Sequence, residues 1–486
     1  MGINRLTLIS SINLRKKYFL IPLIIALYLS SLLPPPFELS INGYKSLLIV
    51  FFALVLWITE ILPPALTSIL ILILLPVMGV IPFEESIAGF SDSSCILLVS
   101  IFILSIAMSN SGLDQRIALS LLRLAKGKIR LTIFMAIFTA MIMTFLIPTS
   151  AGRTALMVPI CLGMVKAMHL KPGSNIAKSI FLSLSFVSII FSNAVITGAP
   201  SIIYAASLFQ KAAGYKWNYI TWLVYMLPGA ALISFLILPV LLWIFPPEKE
   251  EMKSALTYID ERLKTMGPLS VAEKKVASLF AFMILLWITT NTHHLPVALT
   301  ALIIAALTFF PGLELHSWKE AMAKVEWGTV AIFASSLAMA ASLKSTGVIN
   351  WFAQIALVFV MGDNSYLAGL TIIIVAVVIR LGFNNVLGAM AVTLPLTFEI
   401  ASALHMNPVW LGLLSVVGTD LCFFLPIQSP SLLVSYATGY YTMFDTLKAG
   451  TATVIMAIII TLIMATFYWP VLGINLLQVI SMAGSG

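Results

Sequence analysis

Apolar runs of about 20 residues recur from one end of this 486-residue chain to the other, and that is the length a helix needs to cross the hydrocarbon core of a bilayer. They fall at 17–34, 44–62, 65–82, 93–110, 131–148, 176–208, 219–245, 276–290, 296–312, 329–344, 366–383, 409–439 and 447–469. Hydrophobic residues make up 60% of the chain and charged ones only 9%, with a mean hydropathy of +1.06. So few charges cannot solvate a globule of this size. The sequence predicts an all-α polytopic membrane protein whose surroundings are the lipid bilayer. The net charge of +8 is not gathered on one face with interleaved aromatics, so no nucleic-acid partner is expected. Cys95, Cys161 and Cys422 lie in apolar stretches without metal or redox spacing and are read as small hydrophobes.

Several runs are irregular. Those at 176–208 and 409–439 exceed the length of one span and carry Gly198 and Pro200, or Pro426 and Pro430, near their middle, which predicts broken helices. Those at 131–166 and 366–404 are apolar on both sides of a polar knot, Pro148-Thr149-Ser150-Ala151-Gly152-Arg153 and Gly382-Phe383-Asn384-Asn385. A polar turn between two apolar arms predicts a re-entrant hairpin, tolerated at membrane depth only where the turn is packed in protein or faces water.

The chain also repeats itself. Leu56-Trp57-Ile58-Thr59 is matched by Leu286-Trp287-Ile288-Thr289, Ala65-Leu66-Thr67 by Ala298-Leu299-Thr300, and Ser111-Gly112-Leu113 by Thr346-Gly347-Val348. Pro159 is matched by Pro395, and Gly198-Ala199-Pro200-Ser201 by Gln428-Ser429-Pro430-Ser431, every offset lying between 230 and 236. We therefore expect an extra N-terminal transmembrane helix in 1–40, a first repeat at 41–245, a charged cytoplasmic linker at 246–275, a second repeat at 276–470 and a tail at 471–486. With the hairpins counted as non-crossing, about 11 transmembrane helices result, five in each repeat. An odd number inverts one repeat relative to the other. With the N-terminus cytoplasmic, 21 of the 27 Lys and Arg residues fall on the inside, as the positive-inside rule asks. The C-terminus is then outside. The first helix lacks a small-residue cleavage site and is read as retained.

Two inverted repeats, each with a re-entrant hairpin and a broken helix, are the expected architecture of a secondary transporter with its site near the membrane midplane. A helix that begins inside the membrane aims free N–H groups and the positive end of its dipole at an anion, while carbonyls freed at the breaks can hold Na⁺. The chain has no Gly-x-x-x-x-Gly-Lys-Ser/Thr motif for ATP-driven transport and no metalloprotease or nucleophile-elbow motif, so no enzyme is expected. A channel would need more polar residues outside the turns than the sequence offers.

Leu425-Pro426-Ile427-Gln428-Ser429-Pro430-Ser431, followed by Ser435-Tyr436-Ala437-Thr438-Gly439-Tyr440 and then Asp445 to Gly450, resembles the signature near the C-terminal end of the divalent anion/sodium symporter family. Gly198-Ala199-Pro200-Ser201 is similar to its first-half counterpart, and the resemblance covers roughly residues 40–470. In that family Ser-Asn-Thr at each hairpin tip binds a carboxylate substrate and flanking sodium ions. The resemblance implies an elevator-type homodimer in a plasma or inner membrane, carrying small organic anions. C4/C5 dicarboxylates such as malate, succinate or 2-oxoglutarate are the substrates it favours, with sulfate, tricarboxylate (citrate) or proton-coupled anion transport as alternatives. This chain has Thr149-Ser150-Ala151 at the first tip and Asn384-Asn385-Val386 at the second. Arg153 resembles the Ser-Asn-Thr-Ala-Arg form found in exchanging members, so Na⁺ symport and dicarboxylate exchange both remain open.

The expected substrate contacts are Thr149, Ser150, Ala151, Arg153, Asn384, Asn385, Val386, Ser429, Pro430 and Pro200. If Na⁺ is the coupling ion, its ligands come from Thr149, Ser150, Gly198, Asn385 and Gln428. No other cofactor or metal is expected. Arg153 would clamp a carboxylate or stand in for a cation, its bland reading being a side chain that reaches cytoplasmic water. Arg380 is read as that kind of snorkelling residue. Asp420, an acid at membrane depth, is the coupling candidate, with ion pairing or capping as the bland alternative. For the polar tips the bland readings are a plain turn and Asn capping, and for Gly198, Pro200, Gln428, Ser429 and Pro430 simple packing.

Overall fold

A bilayer offers no partner to backbone N–H and C=O groups, so a chain this apolar must pair them within helices. The computed structural model of the protein is accordingly helical, with only an isolated bridge between Lys128 and Glu251 outside the helices among the described residues. The structure describes residues 22, 27, 29, 30, 32–35, 39–59, 61–251, 253–348, 351, 365–383 and 385–477. The helix expected in 1–40 thus falls largely outside the described residues, as do Asn384 and the end of the tail.

In chain order the first half supplies α1 (Ile41–Thr59), α2 (Pro64–Val77), α3 (Phe83–Ile87), α4 (Ser93–Ser111) and α5 (Leu113–Arg123). It continues with α6 (Ile129–Thr144), α7 (Ser150–Ala167), α8 (Asn175–Ile190), α9 (Pro200–Ala213) and α10 (Tyr219–Ile244). After α11 (Lys253–Met266) come α12 (Val271–Ile288), α13 (Val297–Leu307), α14 (Trp318–Lys324), α15 (Trp327–Ser345) and α16 (Ser365–Leu381). The last are α17 (Val386–Ala403), α18 (Pro408–Asp420), α19 (Pro430–Tyr436) and α20 (Met443–Ile463). The same succession therefore occurs twice: a paired-arm hairpin (α6–α7, α16–α17), an interrupted helix (α8 and α9, α18 and α19) and a long final helix (α10, α20).

Among the described residues, 7 helices are long and apolar enough to cross a membrane, against the eleven spans expected. The difference has a physical cause. Of the expected spans, α2, α13 and α18 are apolar but each shorter than the bilayer is thick, and the span expected at 17–34 lies largely outside the described residues.

The repeated tryptophan has one task in both halves. The Trp57 indole donates to the carbonyl of Pro64 at the start of α2, at 3.3 Å, and the Trp287 indole to that of Val297 at the start of α13, also at 3.3 Å. Each fastens the end of one helix to the start of the next through a buried ring N–H.

Two compact units result. In the unit formed by residues 1–92 and 327–361, α15 packs on α2 and on the turn Ala88–Ser91. Gly89 makes this approach possible, because its missing side chain leaves room for the backbone of Ala334. The Ser46 and Ser342 hydroxyls meet at 3.0 Å between α1 and α15.

In the unit formed by 93–326 and 362–486, α4 packs on α13, α8 on both arms of the first hairpin, and α18 on both arms of the second. Ion pairs here join segments that the charge pattern assigns to one side of the membrane: Arg116 to Glu273 (2.6 Å), Arg123 to Asp260 (2.7 Å) and Lys178 to Asp445 (2.8 Å). The stretch read as a linker is not featureless. It carries the amphipathic α11, which lies against α5 and α7, and α12 already begins inside it at Val271 through a capping box of Ser270 and Glu273.

Gly450 on α20 runs so close to the chain after α18 that a Cβ at this position would overlap the Phe423 backbone. Gly450→Val is expected to destabilise the protein by about 3 kcal/mol through overpacking, read as a lower melting temperature in detergent. An unchanged melting temperature would show that the interrupted segment can yield to α20.

Candidate functional site

Each hairpin tip is set by a cap. Thr149 precedes α7 with extended backbone, and its hydroxyl accepts the Gly152 N–H at 3.1 Å. Asn385 precedes α17 in the same way, its side-chain oxygen accepting the Leu387 N–H at 2.8 Å. These caps stop the helices short and hold the turns open. Thr149, Ser150, Ala151, Asn385 and Val386 are half-buried.

The interrupted helices end and restart beside the tips. After α8 a short 3₁₀ turn ends at Ala194, and α9 begins at Pro200. After α18 the chain is irregular except for a turn at Pro426–Gln428, and α19 begins at Pro430. Proline suits both restarts, since its missing N–H is one that a first helical turn cannot use. Neither restart has a side-chain cap. The Gln428 side-chain oxygen instead gathers the N–H groups of Phe424 and Leu425 at 3.0 and 2.9 Å, while its Nε2 and the Ser429 hydroxyl are buried with no hydrogen-bond partner among the described residues.

Two arginines tie the tips to these breaks. The Arg153 side chain is 0% exposed. Its Nη1 donates to the Ile147 carbonyl in the first tip (2.6 Å) and to the Gly198 carbonyl in the first break (3.0 Å). Its Nη2 donates to the Ser188 carbonyl and the Ser192 hydroxyl. Arg380 does the corresponding work in the second half, donating to the Phe383 carbonyl in the tip and the Gln428 carbonyl in the break. Reading Arg380 as a snorkelling side chain is therefore corrected: it too is 0% exposed, and the carbonyls freed by the turn and the break, not water, solvate its charge. Arg153 likewise does not reach water.

Asp420, at the end of α18 and 2% exposed, interacts electrostatically with Arg380 and Arg153 and lies beside Asn193; its Oδ2 has no hydrogen-bond partner among the described residues. One buried carboxylate thus feels the charge of both guanidinium groups. Removing charges of this kind from water costs several kcal/mol per ion, and hydrogen bonds of about 1.5–3 kcal/mol each to a charged donor offset it only when most donors are matched.

Further contacts bring the two halves of the site together. The Thr154 hydroxyl, one turn into α7, meets the Ser431 hydroxyl in the first turn of α19, and α9 packs on α17. The starts of α7 and α9 share Arg153, and the second tip shares Arg380 with the start of α19. Helix N-termini from both halves therefore converge on one locality, with the electrostatics that favour an anion.

Sequence reasoning missed a serine face running from α8 into the 3₁₀ turn that follows it. Ser185 lies 2.6 Å from Ser435, which lies 2.6 Å from the Tyr441 hydroxyl, while the Ser188 carbonyl and the Ser192 hydroxyl accept from Arg153. The signal was there, since Ser185, Ser188 and Ser192 are spaced three and four apart and so share one helix face.

The sodium:sulfate symporter transmembrane region matches residues 14–475 of the chain. The chain belongs to this family. It is a membrane transporter, not an enzyme. A sodium-dependent dicarboxylate transporter, SdcS, of Staphylococcus saprophyticus is 26% identical over 476 residues, covering 93% of this chain and 91% of the relative. A membrane protein of Cupriavidus necator is 25% identical over 467 residues, covering 91% and 90%. Among solved structures, Neisseria gonorrhoeae MtrF, described as one of a class of antimetabolite efflux pumps, shares the fold at a TM-score of 0.56 with 14% identity, covering 96% of each chain. The Alcanivorax borkumensis YdaH transporter does so at 0.55 with 14% identity, covering 79% and 87%.

Within this family member, Arg153→Met leaves the Ile147, Gly198 and Ser188 carbonyls without their buried donor. It is expected to cost at least about 3 kcal/mol at roughly 1–3 kcal/mol per orphaned group, and Arg380→Met, with two such carbonyls, is expected to cost less. Melting of the purified variants in detergent measures both; a melting temperature equal to wild type for Arg153→Met would show that the guanidinium does not hold the tip.

Proposed function

We propose that the protein is a secondary carrier of small organic dianions, C4/C5 dicarboxylates such as malate, succinate and 2-oxoglutarate. In this reading the two repeats are inverted, and the hairpins and interrupted helices move together as the elevator of a homodimer. The single observation that carries the reading is the meeting of both hairpin tips and both helix breaks around buried positive charge. Such a place suits a compact anion with a charge at each end. Ser150 and Asn385, with backbone N–H groups of the two tips, hold the carboxylates. Thr149, Ala151, Val386, Pro200, Ser429 and Pro430 shape the pocket, and Asn384 belongs to the second tip in sequence. The dicarboxylate named for the Staphylococcus relative supports the substrate class.

Two observations bear on coupling. The carbonyls of a tip and a break are the oxygens that would ligate Na⁺, and in both halves a guanidinium already engages them. We infer that Arg153 and Arg380 serve as fixed cations and that the carrier exchanges one dicarboxylate for another without Na⁺. Asp420 then sets the balance of charge between them. The second reading, Na⁺ symport, is favoured by the sodium dependence in the relative's name and by the Ser429 hydroxyl, whose oxygen has no hydrogen-bond partner among the described residues. Its ligands would come from Thr149, Ser150, Gly198, Asn385 and Gln428.

Asn385→Ala is expected to raise the KM for succinate about tenfold, the equivalent of one lost hydrogen bond of ~1.4 kcal/mol. Transport at the wild-type KM and rate would remove Asn385 from the site. In proteoliposomes, uptake that requires internal dicarboxylate and is indifferent to Na⁺ is expected; uptake into empty vesicles driven by a Na⁺ gradient would establish symport instead.

A further inference from the structure

A cavity of about 520 Å³ runs beside the second arm of the first hairpin. Ile147 and Gly152 line it at the tip, Ala155 and Ile160 along the arm, and Tyr258 and Arg262 of α11 at its far end. Gly152 to Ile160 is about 12 Å of helix, so the cavity leads from the hairpin turn to the segment that joins the two halves. Nothing in the transport reading given above uses α11.

The linker helix is seated there by shape. On α7, Gly163 has no room for a Cβ because the hydroxyl end of Tyr258 fills the space. The Arg262 guanidinium lies over the Tyr258 ring, 5.7 Å from its centroid, and its Nε donates to the Tyr258 hydroxyl at 3.4 Å. Two residues before Arg262, on the opposite face of the helix, Asp260 pairs with Arg123 of α5 and anchors α11 from its other side. Asp114 also lines the cavity, but its carboxylate is buried and accepts the Gln115 N–H at 2.7 Å. Burial pushes the Asp114 carboxyl above its ordinary range, opposed by the Gln115 N–H. Arg262, by contrast, is exposed, and a charge at the mouth of a cleft with low-dielectric walls raises the local concentration of ions of opposite sign.

We propose that Arg262, held on the Tyr258 ring, gathers the dianionic substrate at the linker-side mouth of this cavity and sets the apparent affinity from that face alone. The proposal rests on the dicarboxylate reading.

Succinate transport in right-side-out and inside-out vesicles tests it. Arg262→Gln is expected to raise KM about five- to tenfold from the linker face, with the opposite face and the maximal rate unchanged, and Arg262→Lys to stay near wild type. The three native cysteines are buried, so Arg262→Cys offers a selective handle. A positively charged thiol reagent should restore the lost affinity and a negatively charged one should not. An unchanged KM in Arg262→Gln, an equal rise at both faces, or indifference to the reagent's charge would overturn the proposal. Wild-type vesicles that carry no succinate in either orientation would instead overturn the dicarboxylate reading, and this proposal with it.

Discussion

The bond between a buried guanidinium and the backbone carbonyls that a membrane helix must not leave free is the constraint on which the site depends. Hairpin turns and helix breaks release carbonyls inside apolar protein, where each needs a donor. Arg153 and Arg380 each reach one carbonyl in a tip and one in a break, so each converts two defects into a joint. Without them the tips and breaks would be four separate liabilities. With them, hairpin and interrupted helix in each half are tied together.

The same joints explain why so much polarity is buried in so apolar a chain. Ser185 and Ser192, the Thr154–Ser431 contact and Asp420 are all nearly inaccessible. Each would be costly alone. The hydroxyls of Ser185, Ser192, Thr154 and Ser431 are tolerated because each pairs with another buried polar group, and a network of that kind admits few alternative packings. Gly450 and Gly89 show the complementary device: where polar ties draw backbones together, side chains are absent so that the approach can be completed.

Much of the architecture was legible in the amino-acid order. Apolar runs gave the helices, and the polar knots at Pro148 to Arg153 and Gly382 to Asn385 marked turns that fall between α6 and α7 and between α16 and α17. Gly198-Ala199-Pro200 and Gln428-Ser429-Pro430 marked the breaks. Less legible were the lengths of the segments, because hydropathy registers how apolar a stretch is and not where a cap halts it. The capping box at Ser270 and the amphipathic α11 were hidden by reading 246–275 as one charged linker.

By itself, then, the sequence determined the solvent, the helical class, the places where helices must turn or break, and a repeat spacing near 230 residues. These follow from local chemistry: hydropathy, proline, and polar residues among apolar ones. Only the tertiary structure decided what the charges at those places do. Arg153 and Arg380 lie on opposite sides of their tips in sequence, one after the turn and one before it, so no constant offset relates them. Their equivalence exists in space, where each guanidinium spans a tip and a break from segments distant in the chain, and hydrogen-bond partners brought together by folding cannot be read from spacing along it.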